Sequence, residues 1–211
     1  MVKAIIFDVW GTLVETGVKP SPSKQVKYFL RARERFGDFI VKFEKSFMTQ
    51  EYESLQEAFE QVVKEMDLRI PDFVYEKLVG MWNKNAILAK PYDDSEEVLK
   101  ELKDKGYKLF IIANIDKFSY EQLKQKMDFS IFDGVYLSYE SGLLKNDKES
   151  YEAILKDNKL KKDDVLMVGD SIVSDIKSAE NAGITGLLID RRETRDYENK
   201  VKSLRELADS L

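Results

Sequence analysis

Short apolar runs alternate with amphipathic stretches along most of this chain. Ala4-Ile5-Ile6-Phe7 precedes Asp8 and a turn signal at Gly11, which predicts a buried strand over residues 3–9. Val98, Leu99 and Leu102 share one face of a helix predicted over 94–105 and ended by Gly106. Tyr107 to Ala113 reads as a second strand, followed by a helix from Ser119 to about Met127 and a short strand at 134–138. A helix over 148–157 carries Tyr151, Ile154 and Leu155 on one side. A strand at 164–168, a helix at 173–182 stopped by Gly183, and a strand at 186–190 complete the series. Strands and helices alternating at this spacing predict an α/β fold, a Rossmann-like parallel sheet with helices on both faces.

The stretch from Glu15 to Lys90 breaks the alternation. It opens with Gly17, Pro20 and Pro22 and then shows helical patterns without a convincing strand. This predicts an all-helical insertion of residues 15–90 after the first strand, with the α/β core made from 1–14 and 91–211. Its aromatics are Tyr28, Phe29, Phe36, Phe39, Phe43, Phe47, Tyr52, Phe59, Phe73, Tyr75 and Trp82. Burial preferences assign them to the insertion's own core, with one or two left to face a substrate. No internal repeat or low-complexity segment is visible.

Composition narrows the chemistry. The 211 residues suffice for one buried core plus a smaller lobe, with 43% hydrophobic and 35% charged residues. Cysteine is absent, which excludes disulfides and thiolate metal sites; histidine is also absent. Any acid or base working near neutral pH must therefore be a carboxyl, lysine or tyrosine. The net charge is −5 with the two signs interleaved, which argues against a nucleic-acid footprint. No run reaches the ~18 apolar residues of a membrane span. Asp8 interrupts the N-terminal apolar stretch, so no signal peptide is recognised and a cytoplasmic location is expected. Abundant Lys and Glu without Cys or His resembles thermophile composition. Nothing in the pattern bears on oligomeric state.

Two strand ends carry acids. Asp8 follows the first strand, and Val165-Leu166-Met167-Val168 runs into Gly169-Asp170-Ser171-Ile172-Val173-Ser174-Asp175. Open α/β sheets place their chemistry at the C-terminal ends of such strands. Gly169 permits a sharp turn, and acids gathered at one edge suit a hard divalent cation and a phosphate. Each residue also has an ordinary reading. Aspartates at strand ends commonly serve turns, Asp175 could cap the helix beginning near Val173, and Lys145 is one of 34 basic residues. Ser171 and Ser174 are neighbours of lesser weight.

Taken together, Asp8-Val9-Trp10-Gly11-Thr12, Gly142-Leu143-Leu144-Lys145 and Gly169-Asp170 with Asp175 resemble, in order and separation, the haloacid dehalogenase superfamily of hydrolases. The resemblance runs from residue 3 to about residue 190. It implies a helical cap where the insertion lies. It implies that Asp8 is a nucleophile forming a covalent aspartyl intermediate that water hydrolyses. It further implies Mg²⁺ held by Asp8, the Trp10 carbonyl, Asp170 and Asp175. Lys145 would pair with the nucleophile and the substrate phosphate, with Gly11, Thr12 and Asn114 also at the phosphoryl group. The expected activity is Mg²⁺-dependent hydrolysis of a small-molecule phosphate monoester.

Two departures matter. Trp10 stands where phosphatases of this family usually have an aspartate that protonates the leaving alcohol, help worth ~10²–10⁴ in rate. Ala113 replaces the usual hydroxyl residue at the end of the second strand, leaving Asn114; losing one such donor costs ~10²–10³. Asn146 in place of the common proline is minor. Glu15 is a substitute acid at the insertion's hinge. Trp10 also admits a 2-haloacid dehalogenase, since dehalogenases carry an aromatic there, but an unpaired Asp170 beside a halide or carboxylate would be unfavourable. A catalytically weakened binding protein on the same scaffold is a third reading, supported by Trp10 and Ala113 and opposed by Asp8, Lys145, Asp170 and Asp175.

Overall fold

The computed structural model describes residues 2–211. Its main sheet is six-stranded and parallel. The strands are β1 (Ala4–Phe7), β4 (Lys108–Ala113), β5 (Gly134–Leu137), β6 (Val165–Gly169), β7 (Thr185–Ile189) and β8 (Lys200–Val201), in the order β5-β4-β1-β6-β7-β8. β1 is central, pairing Phe7 with Ile111 of β4 and with Val168 of β6.

The side-chain period of two builds a layer on each face of this sheet. Ile5, Phe7, Leu109, Ile111 and Val168 pack with α5 (Ser95–Asp104) and α10 (Leu204–Ser210). The alternate residues Ala4, Ile6, Phe110, Ile112 and Met167 pack with α8 (Lys148–Asp157) and α9 (Ser178–Asn181). The helices α6 (Lys117–Leu123) and α7 (Ser138–Ser141) follow β4 and β5.

Between the short strands β2 (Val14–Glu15) and β3 (Lys90–Pro91) lie α1 (Pro22–Leu30), α2 (Phe36–Met48), α3 (Leu55–Glu65) and α4 (Asp72–Leu88). β2 and β3 pair antiparallel, so the chain leaves and re-enters the α/β layers through one narrow ribbon. The four helices enclose their own core. Phe39, Phe43 and Phe47 recur every fourth position along α2 and stack at 5.7 and 5.0 Å between ring centroids. Trp82 closes on Phe47 at 4.8 Å. Not every aromatic is interior: Tyr28 and Phe73 are 79% and 57% exposed, and Phe36 sits at the edge.

Several boundaries differ from expectation. The helix expected from Ser119 begins at Lys117, because Asp116 caps it by accepting from the Ser119 N–H at 2.9 Å. The single helix expected over 173–182 is a π-helical turn, Ile172–Lys177, followed by α9. β8 and α10 were not expected at all. Among the described residues no helix is long and apolar enough to cross a membrane.

The helical layer is tied to the sheet layer by Asp116, which is 4% exposed. Its carboxylate accepts from the Trp82 indole N–H at 2.9 Å and the Ser119 hydroxyl at 2.6 Å. Lys126 adds to this by donating to the Ala86 and Ala89 carbonyls at the end of α4. Trp82→Phe keeps most of the apolar contact and removes one donor from a buried carboxylate. Thermal or urea unfolding should show a loss of about 1–3 kcal/mol; an unchanged midpoint would mean that this bond contributes nothing to holding the layers together.

Candidate active site

β1 and β6 are parallel neighbours, so their C-terminal ends deliver Asp8 and Asp170 to the same sheet edge. The Asp8 N–H donates to the Val168 carbonyl at 3.0 Å, which fixes its backbone against β6. The turn that follows is held by Arg191, which donates to the Thr12 carbonyl at 2.8 Å, pairs with Asp94 at 2.9 Å, and stacks on Tyr92.

Lys145, from the loop between α7 and α8, is 7% exposed and lies between two acids. Its Nζ donates to Asp8 Oδ1 in a close contact and to Asp175 Oδ1 at 2.6 Å. Asp8 Oδ2 accepts from the Thr12 hydroxyl at 3.2 Å. Asp175 is fully buried inside the π-helical turn, and its Oδ2 accepts from the Ser171 N–H at 2.8 Å. It is therefore not a helix cap; Ser171 caps that turn, accepting from the Ser174 N–H. Two glycines clear the space. A Cβ on Gly169 would lie 2.4 Å from the Asp175 carboxyl, and one on Gly11, at φ +82°, would lie 2.5 Å from Asp170 Oδ2.

Asp8, Asp170 and Asp175 each offer a carboxylate oxygen within 4.8 Å of the others. Burial pushes the Asp8 carboxyl up to about 8; Lys145 opposes the shift, and Asp175 and Asp170 reinforce it. Burial and Asp175 likewise push Asp170 up to about 6, against Arg195. For Lys145, burial works downward, but Asp175 and Asp8 outweigh it and hold the ammonium well above its ordinary range. One lysine thus faces three carboxylates, and the residual negative charge is poorly solvated. A hard divalent cation fits this all-oxygen donor set.

The remaining expected site residues fall around this cluster. Gly11 and Trp10 line a mouth of about 580 Å³ together with Lys19, Tyr92, Arg192 and Arg195. Thr12 is fully buried and directs its hydroxyl at Asp8. Asn114 is buried; its Oδ1 accepts from the Lys145 backbone N–H at 2.8 Å, and its Nδ2 donates to Glu44 at 2.8 Å. The side-chain amide is thus engaged with the lysine loop and with α2. Glu15 pairs with Lys19 at 3.0 Å and lines a separate cleft with Gly17 and Lys90.

Sequence reasoning passed over Glu44, Arg191 and Arg195. Arg195 reaches the Asp170 carbonyl closely and its carboxylate at 3.5 Å. The run Arg191-Arg192-Glu193-Thr194-Arg195 directly after a strand end was the available signal for the two arginines.

This fold and site define a hydrolase class. The family model of haloacid dehalogenase-like hydrolases matches residues 2–183, and the chain belongs to that family. A glyceraldehyde 3-phosphate phosphatase of Methanocaldococcus jannaschii is 28% identical over 229 residues, spanning 99% of this chain and 96% of that protein. An uncharacterised Saccharomyces cerevisiae protein, YMR130W, is 34% identical over 118 residues, only 48% of this chain and 39% of that one. The solved L-2-haloacid dehalogenase of Xanthobacter autotrophicus shares the fold at a TM-score of 0.65, covering 99% and 98% of the two chains at 18% identity. Phosphatases and dehalogenases thus stand together at the level of fold, and the local chemistry must separate them.

The raised acids have a thermodynamic consequence. In the unfolded chain these carboxyls lose protons near pH 4, whereas folded Asp8 and Asp170 hold theirs toward about 8 and about 6. The folded state binds more protons across that window, so their contribution to stability is full below about pH 4 and is lost as pH rises through the folded values. Melting of the metal-free protein should fall from pH 5 to pH 8, and added Mg²⁺ should raise it more at pH 8. A Mg²⁺ shift larger at pH 5 would contradict a site built from these acids.

Proposed function

We propose that this chain is a Mg²⁺-dependent phosphatase of small-molecule phosphate monoesters, with residues 15–90 acting as a cap over a core of 1–14 and 91–211. The observation that carries the reading is Asp170 beside the buried Asp8–Lys145–Asp175 set. A dehalogenase site would set that carboxylate, offset only by Arg195 at 3.5 Å, next to an anionic substrate with no cation to bridge them. A phosphoryl-transfer site needs those acids.

Asp8, Asp170 and Asp175 would hold the cation, with the Trp10 carbonyl in the intervening turn. When bound, it supplies neutralisation of charge on the phosphoryl oxygens. Asp8 attacks phosphorus in line, with its Oδ2 oriented by the Thr12 hydroxyl at 3.2 Å. Lys145 stays protonated and offsets repulsion between the Asp8 carboxylate and the substrate dianion. The backbone amide of Asn114, at the same edge, would donate to a phosphoryl oxygen, while the Gly11 N–H is held by the Val14 carbonyl at 2.7 Å. The aspartyl phosphate is then hydrolysed by water. The substrate in the name of the Methanocaldococcus jannaschii relative supplies a first physiological candidate, glyceraldehyde 3-phosphate.

The test is release of p-nitrophenol from p-nitrophenyl phosphate with Mg²⁺ or with EDTA, alongside Asp8→Asn. Release should require Mg²⁺ and fall on the order of 10⁴–10⁶-fold in the variant, as for loss of a covalent nucleophile. Halide release from 2-chloropropionate without metal, with no phosphate release, would establish the dehalogenase instead.

A further inference from the structure

Trp10 leaves the nucleophile turn without a carboxyl to protonate a departing alkoxide, and no histidine exists to take over. Glu15 is paired away from the site. A second cavity, about 220 Å³, lies between α2, α4 and the sheet edge, and it shares Trp10 and Asp170 with the mouth. Three of its lining residues are carboxylic acids: Glu44, Asp116 and Asp170. Asp116 is consumed by Trp82 and Ser119. Asp170 belongs to the cation cluster.

Glu44 is different. It hangs from α2, above the sheet edge, and among the described residues its carboxylate has one hydrogen-bond partner, Asn114 Nδ2 at 2.8 Å on Oε2. Asn114 in turn accepts from the Lys145 backbone, so Glu44 is two hydrogen bonds from the lysine that grips Asp8. An in-line displacement expels the leaving oxygen on the side opposite Asp8, toward the covering helices. Burial raises Glu44 above its ordinary value, with Lys145 and the Asn114 amide opposing and Asp175 reinforcing.

We propose that Glu44 is the catalytic proton donor to the leaving group, replacing the acid absent at Trp10. This rests on the phosphatase reading above. As the Asp8 Oδ–phosphorus bond forms and the phosphorus–oxygen ester bond breaks, the Glu44 proton passes to the departing oxygen, releasing a neutral alcohol and leaving Glu44 ionised. In the second half, water attacks the phosphorus of the aspartyl phosphate. Glu44 takes the water's proton, phosphate departs, and Asp8 returns as the free carboxylate.

The test compares p-nitrophenyl phosphate, whose phenolate leaves without a proton, with glycerol 2-phosphate, whose alkoxide does not. Glu44→Gln keeps the carbonyl that accepts from Asn114 and removes only the proton. On glycerol 2-phosphate it should lose roughly 10²–10⁴ in kcat, and its loss on p-nitrophenyl phosphate should be at least tenfold smaller. Glu44→Asp, which retains a proton but withdraws it, should show an intermediate loss with the same leaving-group bias. Equal losses on both substrates would assign Glu44 a structural role and overturn the proposal. So would full activity of Glu44→Gln on glycerol 2-phosphate, or a wild-type protein that cleaves only the aryl ester. A wild-type protein silent on both substrates would instead remove the phosphatase reading, and this proposal with it.

Discussion

A single buried ammonium organises this molecule's chemistry. Lys145 sits between Asp8 and Asp175, both almost without solvent, and Asp170 adds a third carboxylate at the rim. Desolvating an ion costs several kcal/mol, and one cation cannot repay that for three anions. The cluster therefore persists because the surrounding fold is stable enough to hold it. On the proposed function, the needs of chemistry and of stability pull in opposite directions at this spot. The same excess charge that weakens the metal-free protein is what would draw in a divalent cation and then a phosphate.

The scaffold serves that cluster by close approach. β1 and β6 must be adjacent for Asp8 and Asp170 to share an edge, and the register Phe7 to Val168 sets their relative height. Gly169 and Gly186 let the π-helical turn press onto the sheet. A Cβ at Gly169 would collide with Asp175, and one at Gly186 with Ile176. The extra residue per turn of a π-helix, common at functional sites, lets Asp175 point back toward Ser171 and Lys145 rather than outward. Each of these devices is local, and each works only because the neighbouring strand is where it is.

That division explains what was legible in the sequence. The strands β1, β4 and β6 were readable because both faces are buried, so each is an unbroken apolar run ending in a polar turn. Asp8, Lys145, Asp170 and Asp175 were readable because motif order reports strand order. Local pattern did not reach further. The π-helical turn was invisible because its sequence is also an acceptable α-helix, and only the contacts of Asp175 decide between them. β8 and α10 were missed because Lys200–Val201 is a two-residue edge strand with no periodicity of its own. Glu44 was missed because α2 carries charge on several sides, and which charge turns inward depends on how α2 meets the sheet edge. The aromatics Tyr28 and Phe73 misled for the same reason: an aromatic at helical spacing does not specify which face another helix will cover.

The two departures from the family's usual residues look different once the helices are in place. Trp10 removes an acid from the core turn but supplies an apolar wall to both cavities. Asn114, beside the hydroxyl lost at Ala113, spends its side chain joining α2 to the lysine loop. On the proposed reading, both changes would move responsibility from the sheet edge to the helical layer. Were the proton donor on α2, as proposed, phosphoryl transfer to Asp8 and protonation of the leaving group would not reside in one rigid turn. They would coincide because α2 lies over the sheet edge, held by Glu44–Asn114 and Trp82–Asp116. Contacts of the leaving group with α2 would then position it against the acid as well as exclude water. A leaving group that does not reach Glu44 would then depart without its proton, so selection would act on the chemical step and not on binding alone.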